Sequence, residues 1–333
     1  MAFPAAFDDS VGLLLIDADP SASVPGQGAV LLDDRRPACM QQHRCEAAWC
    51  DDTNVEVHFT ACPYATSTRR LDPRFRDWFV FGNGDVDYLL GPAHEVRRTE
   101  TVAARRLDSL ARELAPGMAR PGILSIDAQG ASAEIVAGAE SLLSDSVDAV
   151  VCEAETIPFY GGSPSLALLL PHLADRHFFL SGILPTGDPW ASPCRNPIGL
   201  RGSPLLGSVD AIFVRDPRSL PAGAPGERVA RYAFVACMMG HPDLAAAALL
   251  RAESPAGTSS IERFAREFRD AAALAPARYP PAFGSGLRHG RADAAVVRGD
   301  ASALERCLAE HGFRAAATDV QARRLHQSAH ASS

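Results

Sequence analysis

Residues 123–143 read ILSIDAQGASAEIVAGAESLL, and this stretch decides the fold. Ile123, Leu124 and Ile126 make a short apolar run that ends in an acid, Asp127. Such a run bounded by a turn predicts a buried strand. Gln129-Gly130 supplies the turn. Ile135, Val136, Ala139, Leu142 and Leu143 then recur at helical spacing and form one apolar face. The pattern continues downstream. VDAVVC (147–152) predicts a second buried strand, followed by the acids Glu153 and Glu155. SLALLLPHLAD (165–175) predicts a helix bent or divided at Pro171. HFFLSG (177–182) and SVDAIFVR (208–215) predict two more strands, joined by a loop rich in Pro and Gly. Strand and helix in alternation predict an α/β fold with parallel central strands and an antiparallel pair at one edge.

Upstream, Val11–Ile16 predicts another buried strand, ending at Asp17 and Asp19. VEVHFTA (55–61) alternates as a strand does. WFVFGNGDVDYLLG (78–91) predicts a hairpin turned at Asn83-Gly84. Leu107-Asp108-Ser109-Leu110 predicts a helix start with Asp108 as its N-cap. Beyond a linker, PRSLPAGAPGE (217–227), the chain turns Ala-rich and helical and ends in the small, polar QSAHASS (327–333), expected to be disordered. The expected organisation is an α/β domain over 1–216 and a helical extension over 217–333.

The 333 residues are 47% hydrophobic and carry a net charge of −8. An acidic chain gives no electrostatic reason to expect nucleic acid or an anionic membrane as partner. All 32 basic side chains are arginine, so any role that uses a lysine ammonium must be filled by another residue or be absent. The opening MAFPAAFDDS has no positive leader region, and Val11–Ile16 is too short to span a bilayer. The eight cysteines are therefore expected to be reduced thiols in a cytoplasmic protein. Cys39, His43, Cys45 and Cys50 would share helical faces if their segment were the helix after the Asp17 strand. Their spacing lacks the paired C-x2-C of structural zinc sites, and no metal is expected.

In open α/β sheets, ligands bind beyond the carboxyl ends of the parallel strands. Three predicted strands end in acids there, at Asp17, at Asp127 and at Glu153/Glu155. An acid in Asp17's position can accept hydrogen bonds from both ribose hydroxyls of a nucleotide, or cap a following helix.

Leu107-Asp108-Ser109-Leu110, the 123–143 stretch, VVCEAETIPFYGG (150–162) and SVDAIFVRDP (208–217) stand in an order and spacing that resemble the FkbM family of S-adenosylmethionine-dependent methyltransferases. The resemblance implies a Rossmann-like class I methyltransferase sheet. It implies S-adenosylmethionine as cofactor and methylation of a hydroxyl oxygen on a small-molecule or glycan acceptor. Position by position, Asp17 matches the ribose-binding acid. Asp127, Gln129 and Gly130 match the cofactor-side turn. Asp127 and Glu155 are the candidate catalytic carboxylates, and Glu153 and Tyr160 the candidate acceptor contacts. Asp210 and Arg215 match a final strand whose role is structural. His172 and His177 are placed near the acceptor side as weaker candidates for a base.

The chain departs from the family in three places. Ser125 stands where the family has lysine, and Ser132 where it has glutamate. The glycine-rich loop expected before Asp17 is not spelled by the preceding residues. The sheet is therefore expected to be incomplete at its N-terminal side, as in a truncated or degenerate gene. The alternative reading is a catalytically inactive remnant that binds a ligand or a partner.

Overall fold

The structure, a computed structural model, describes residues 7, 11–16, 18, 40–44, 46–81, 87–114, 118–185, 192–193, 205–274 and 302–313. They fall into two compact units. The larger is drawn from Gly12–Asp33 and Met40–Asp216, the smaller from Met1–Val11, Asp34–Cys39 and Pro217–Ser333.

In the larger unit, β1 (Gly12–Ile16) pairs in parallel with β2 (Met40–Arg44), Gly12 opposite Met40. The segment holding His43 is thus a strand and not a helix, and the helical face that would join Cys39 to His43 does not exist. Its backbone is held by the ladder to β1, which overrides local propensity. Cys39 and Cys45 lie outside the described residues. Next come β3 (Ala47–Trp49) and β4 (Thr53–Thr60). β5 (Trp78–Phe81) and β6 (Asp87–Leu89) pair antiparallel as the expected hairpin, and α1 (Leu90–Ala93) follows. The long β7 (Val96–Arg106) lies between β3, to which it is parallel, and β4, to which it is antiparallel.

α2 (Leu107–Arg112) leads to β8 (Ile123–Ile126). The predicted helix over 132–143 is two short ones, α3 (Ser132–Ala137) and α4 (Glu140–Asp145). The break lies at Gly138, where an added Cβ would meet the Trp49 carbonyl oxygen of β3 at 2.0 Å. β9 (Ala149–Glu155), α5 (Ser165–Ala174), β10 (Phe178–Pro185), β11 (Ser192–Pro193) and β12 (Ser208–Arg215) complete the unit. α5 runs on through Pro171. The sheet that carries the site has the order β10-β12-β9-β8. β8 and β9 are parallel, and β12 is antiparallel to both β9 and β10.

Alternation along these strands divides the sheet into two faces. Leu124, Ile126, Val150, Cys152, Ala154, Val209, Ala211 and Phe213 point into a core with Ile135, Val136, Leu142, Leu143, Leu169 and Leu173 from the helices. Each fully buried side chain of this kind contributes roughly 1.5–3 kcal/mol. Asp127, Glu153 and Asp210 alternate onto the opposite face.

Asp108 does not cap its own helix. Its buried carboxylate accepts from the Ser141 and Leu142 amides at 3.0 Å each and so caps α4. Arg215 is also buried. It pairs with Asp148 at 3.3 Å, donates to the Val147 carbonyl at 2.9 Å, and lies over the Phe178 ring. Its role is structural.

The smaller unit contains α6 (Gly226–Met238), α7 (Pro242–Arg251), α8 (Ser260–Leu274) and α9 (Ser302–Glu310). Its apolar centre includes Phe7, Phe234, Phe264 and Phe313, whose rings meet at centroid distances of 4.7–5.9 Å. Among the described residues, no helix is long and apolar enough to cross a membrane.

Candidate active site

The site is built on register. Ile126 of β8 lies opposite Cys152 of β9, so Asp127 comes level with Glu153 just past the end of the ladder. Glu153 in turn lies opposite Asp210 of β12. Three carboxylates therefore stand in a row across three adjacent strands, at the carboxyl end of the parallel pair.

Three acids this close cannot all ionise freely. Burial raises the Glu153 carboxyl well above the usual carboxylate range, and the neighbouring Asp127 raises it further. Glu153 also shares a hydrogen bond with the Asp127 carboxyl. Asp210 is raised too, by burial first and by Asp127 second. The row is thus an exposed Asp127 backed by a Glu153 that keeps its proton at neutral pH.

The turn after β8 holds this arrangement. Gln129 has φ +43° and Gly130 φ +93°. The left-handed turn directs the Gln129 amide back over the row, where Nε2 donates to Asp127 Oδ1 at 3.0 Å and to Glu153 Oε2 at 2.6 Å. Both hydrogens of that amide are thereby used. Ser67 fixes the turn from outside by donating to the Gln129 carbonyl at 2.6 Å. Gly130 is required twice over. Its φ suits only glycine well, and a Cβ there would come within 2.4 Å of the Tyr160 ring.

Tyr160 is fixed in turn by His94. The His94 Nδ1 lies 3.0 Å from the Leu90 carbonyl oxygen, which can only accept, so Nδ1 carries the proton. Nε2 is then the acceptor, and the Tyr160 hydroxyl donates to it at 3.2 Å. Burial lowers the pKa of His94, so the ring stays neutral. The apolar cluster of Leu90, Phe159, Phe75 and Trp78 supports this corner.

Glu155, two residues beyond Glu153, is 5% exposed. Its carboxylate accepts from the Ser165 hydroxyl at the start of α5, and its own amide donates to Ser165 Oγ at 2.8 Å. Burial raises its pKa, and the Ser165 bond opposes the rise. Glu155 lines a shallow depression with Arg69, Gly130, Glu134, Tyr160 and Ser163. Asp17 lies outside the described residues.

Ser132, the substitute for a glutamate, is fully buried and donates to the Glu153 carbonyl at 2.6 Å. It holds the end of β9 against α3. Ser125 is exposed on the same face as Asp127. His172 and His177 do not approach the row. His177 precedes Phe178, which lies opposite Arg215 at the other end of the sheet, and His172 faces Glu140 at 3.6 Å. The sequence reading missed Asp210 as a site residue and passed over His94 and Arg69. Asp210 had one signal, its alternation with the apolar Val209 and Ala211; His94 had none.

Residues 24–180 match the family model described as the Methyltransferase FkbM domain. Over these residues the chain is similar to FkbM methyltransferase domains. The match takes in β2 through α5 and the start of β10, and with them Asp127, Gln129, Gly130, Glu153, Glu155 and Tyr160. Asp17 and Asp210 lie outside it. Neither the curated proteins nor the solved structures contain a match. The thiols of Cys50, Cys62, Cys152, Cys237 and Cys307 are free.

Proposed function

We propose that this chain is an S-adenosylmethionine-dependent O-methyltransferase acting on a hydroxyl of a small molecule or glycan, on a Rossmann-like sheet. The observation that carries the reading is the row Asp127–Glu153–Asp210, held by the Gln129 amide at the carboxyl end of β8 and β9. The cofactor brings a methyl group made electrophilic by a sulfonium. The residues present suit the cationic and hydroxyl-bearing parts of such a molecule. A sulfonium and an ammonium are drawn to an acidic row, and ribose hydroxyls donate to carboxylates. Asp127 and Gln129 would hold those parts.

The chain's own chemistry is proton management and alignment. As a hydroxyl oxygen bonds to the methyl carbon and the carbon–sulfur bond breaks, the hydroxyl proton must leave. Asp127 is exposed and placed to take it. Glu153, protonated and half-buried, shares its hydrogen bond with Asp127 and holds that carboxylate in place. Gln129 is committed to both, so the pair keeps its orientation. Tyr160, locked by His94, closes the side of the turn and would contact the acceptor.

Transfer of a labelled methyl group from S-adenosylmethionine to a panel of sugars and phenols tests this. The wild-type chain should label a hydroxylated acceptor, and Asp127→Asn should lower the rate by about 100-fold or more, the size of a general-base contribution. No labelling by folded protein would support the inactive, ligand-binding alternative. Undiminished labelling by Asp127→Asn would remove the carboxylate from the chemistry.

A further inference from the structure

We propose that Glu267, Cys307 and His311 in the smaller unit form a binding site for one divalent metal ion of the zinc class. One ligand atom from each residue lies within 4.8 Å of the other two. A tetrahedral zinc with ordinary Zn–S and Zn–N lengths needs ligand separations of roughly 3.3–3.6 Å. Small side-chain movements close that difference.

The local structure explains why these residues meet. Cys307 and His311 are four apart at the end of α9, which places both on one face, one turn from each other. The helix end is fixed. Phe313 N–H bonds the Leu308 carbonyl at 2.8 Å, Gly312 N–H bonds Ala309 at 3.1 Å, and Gly312 has φ +83°. This is a Schellman cap, with His311 at the C-cap and Phe313 buried beyond it. The cap therefore holds His311 one turn above Cys307. The ring itself is flanked by Phe264 at 5.1 Å and Phe7 at 5.9 Å. So held, Nε2 faces Glu267 Oε2 of α8 at 2.7 Å. Cys307 is 7% exposed, so its sulfur is sheltered.

The donor set selects the ion. Sulfur and imidazole favour zinc and its neighbours over magnesium and calcium, which seek oxygen. A thiolate and a carboxylate together balance the charge of a divalent cation. Three protein ligands leave a fourth position for water. A metal held here would join α8 to α9, elements well separated in the chain. A His311–Glu267 ion pair beside a buried thiol, with no metal, is the competing account.

Untagged full-length protein titrated with zinc against a chromophoric chelator, and separately with cobalt, decides between them. The expected result is one zinc per chain, unaffected by excess magnesium, and a cobalt spectrum with thiolate-to-metal charge transfer and tetrahedral intensity. Cys307→Ser and His311→Ala should each weaken zinc by at least about 100-fold, and Cys50→Ser should leave it unchanged. Far-ultraviolet circular dichroism guards against loss of fold. The cobalt spectrum of the unmutated chain stands even if a variant fails to fold. Absence of the thiolate band, or zinc binding equal in wild type and folded Cys307→Ser, would overturn the proposal.

Discussion

Between about pH 4.5 and pH 9, Glu153 is deprotonated in an unfolded chain and protonated in the folded one, because burial and Asp127 push its carboxyl up from 4.5 to about 9. The folded state binds the extra proton across that window, so stability falls as pH rises through it. The contribution is fully present below pH 4.5 and lost on passing the folded value. Glu153→Gln keeps the shape and a donor toward Asp127 but cannot ionise. Urea denaturation of this variant should show a flatter decline toward alkaline pH than wild type, each unit of upward shift being worth about 1.4 kcal/mol. An unchanged slope would show that Glu153 ionises normally. At this scale the sequence named Asp127 and Glu153 because they stand at the ends of strands, and Gln129 and Gly130 through the family resemblance. It gave Asp210 only as an alternating residue of a structural strand, since the pairing of Glu153 with Asp210 depends on the β9–β12 register, across the intervening α5 and β10.

Asp108 shows how a short sequence word can serve an element other than its own. It sits in the first turn of α2, yet its carboxylate accepts from two amides of α4. The Asp108 amide also donates to the Gly138 carbonyl at 3.0 Å, so the α2 start and the α3–α4 break are bound together. Asp108→Ala should destabilise the chain by about 1–2 kcal/mol, as loss of a helix cap does, with the denaturation midpoint falling and the slope kept. A loss within error would mean that α4 does not depend on the cap. The 123–143 pattern was legible as an apolar helical face because Ile135, Val136, Ala139, Leu142 and Leu143 are all buried. The break at Gly138 was not legible, because the close approach that requires a glycine there comes from the Trp49 carbonyl of β3, far away in sequence. The 40–44 strand was misread for a similar reason, its state being decided by β1 and not by its own residues.

For the molecule as a whole, the strands of the main sheet were readable as apolar runs, and their antiparallel edge pair followed from a loop without helical period. The ends of the sheet were not. His172 and His177 were expected near the acceptor, but β10 runs antiparallel to β12 and begins at the end remote from the carboxylate row. The central claim is that the row Asp127–Glu153–Asp210 forms part of a working pocket for the methyl donor. Calorimetric titration with S-adenosylhomocysteine, of wild type and Asp127→Ala, tests it most directly. The account predicts micromolar binding by wild type, weakened at least about tenfold in the variant, as expected for a lost charged hydrogen bond. No binding by folded, monodisperse wild-type protein, or equal binding by both, would contradict it.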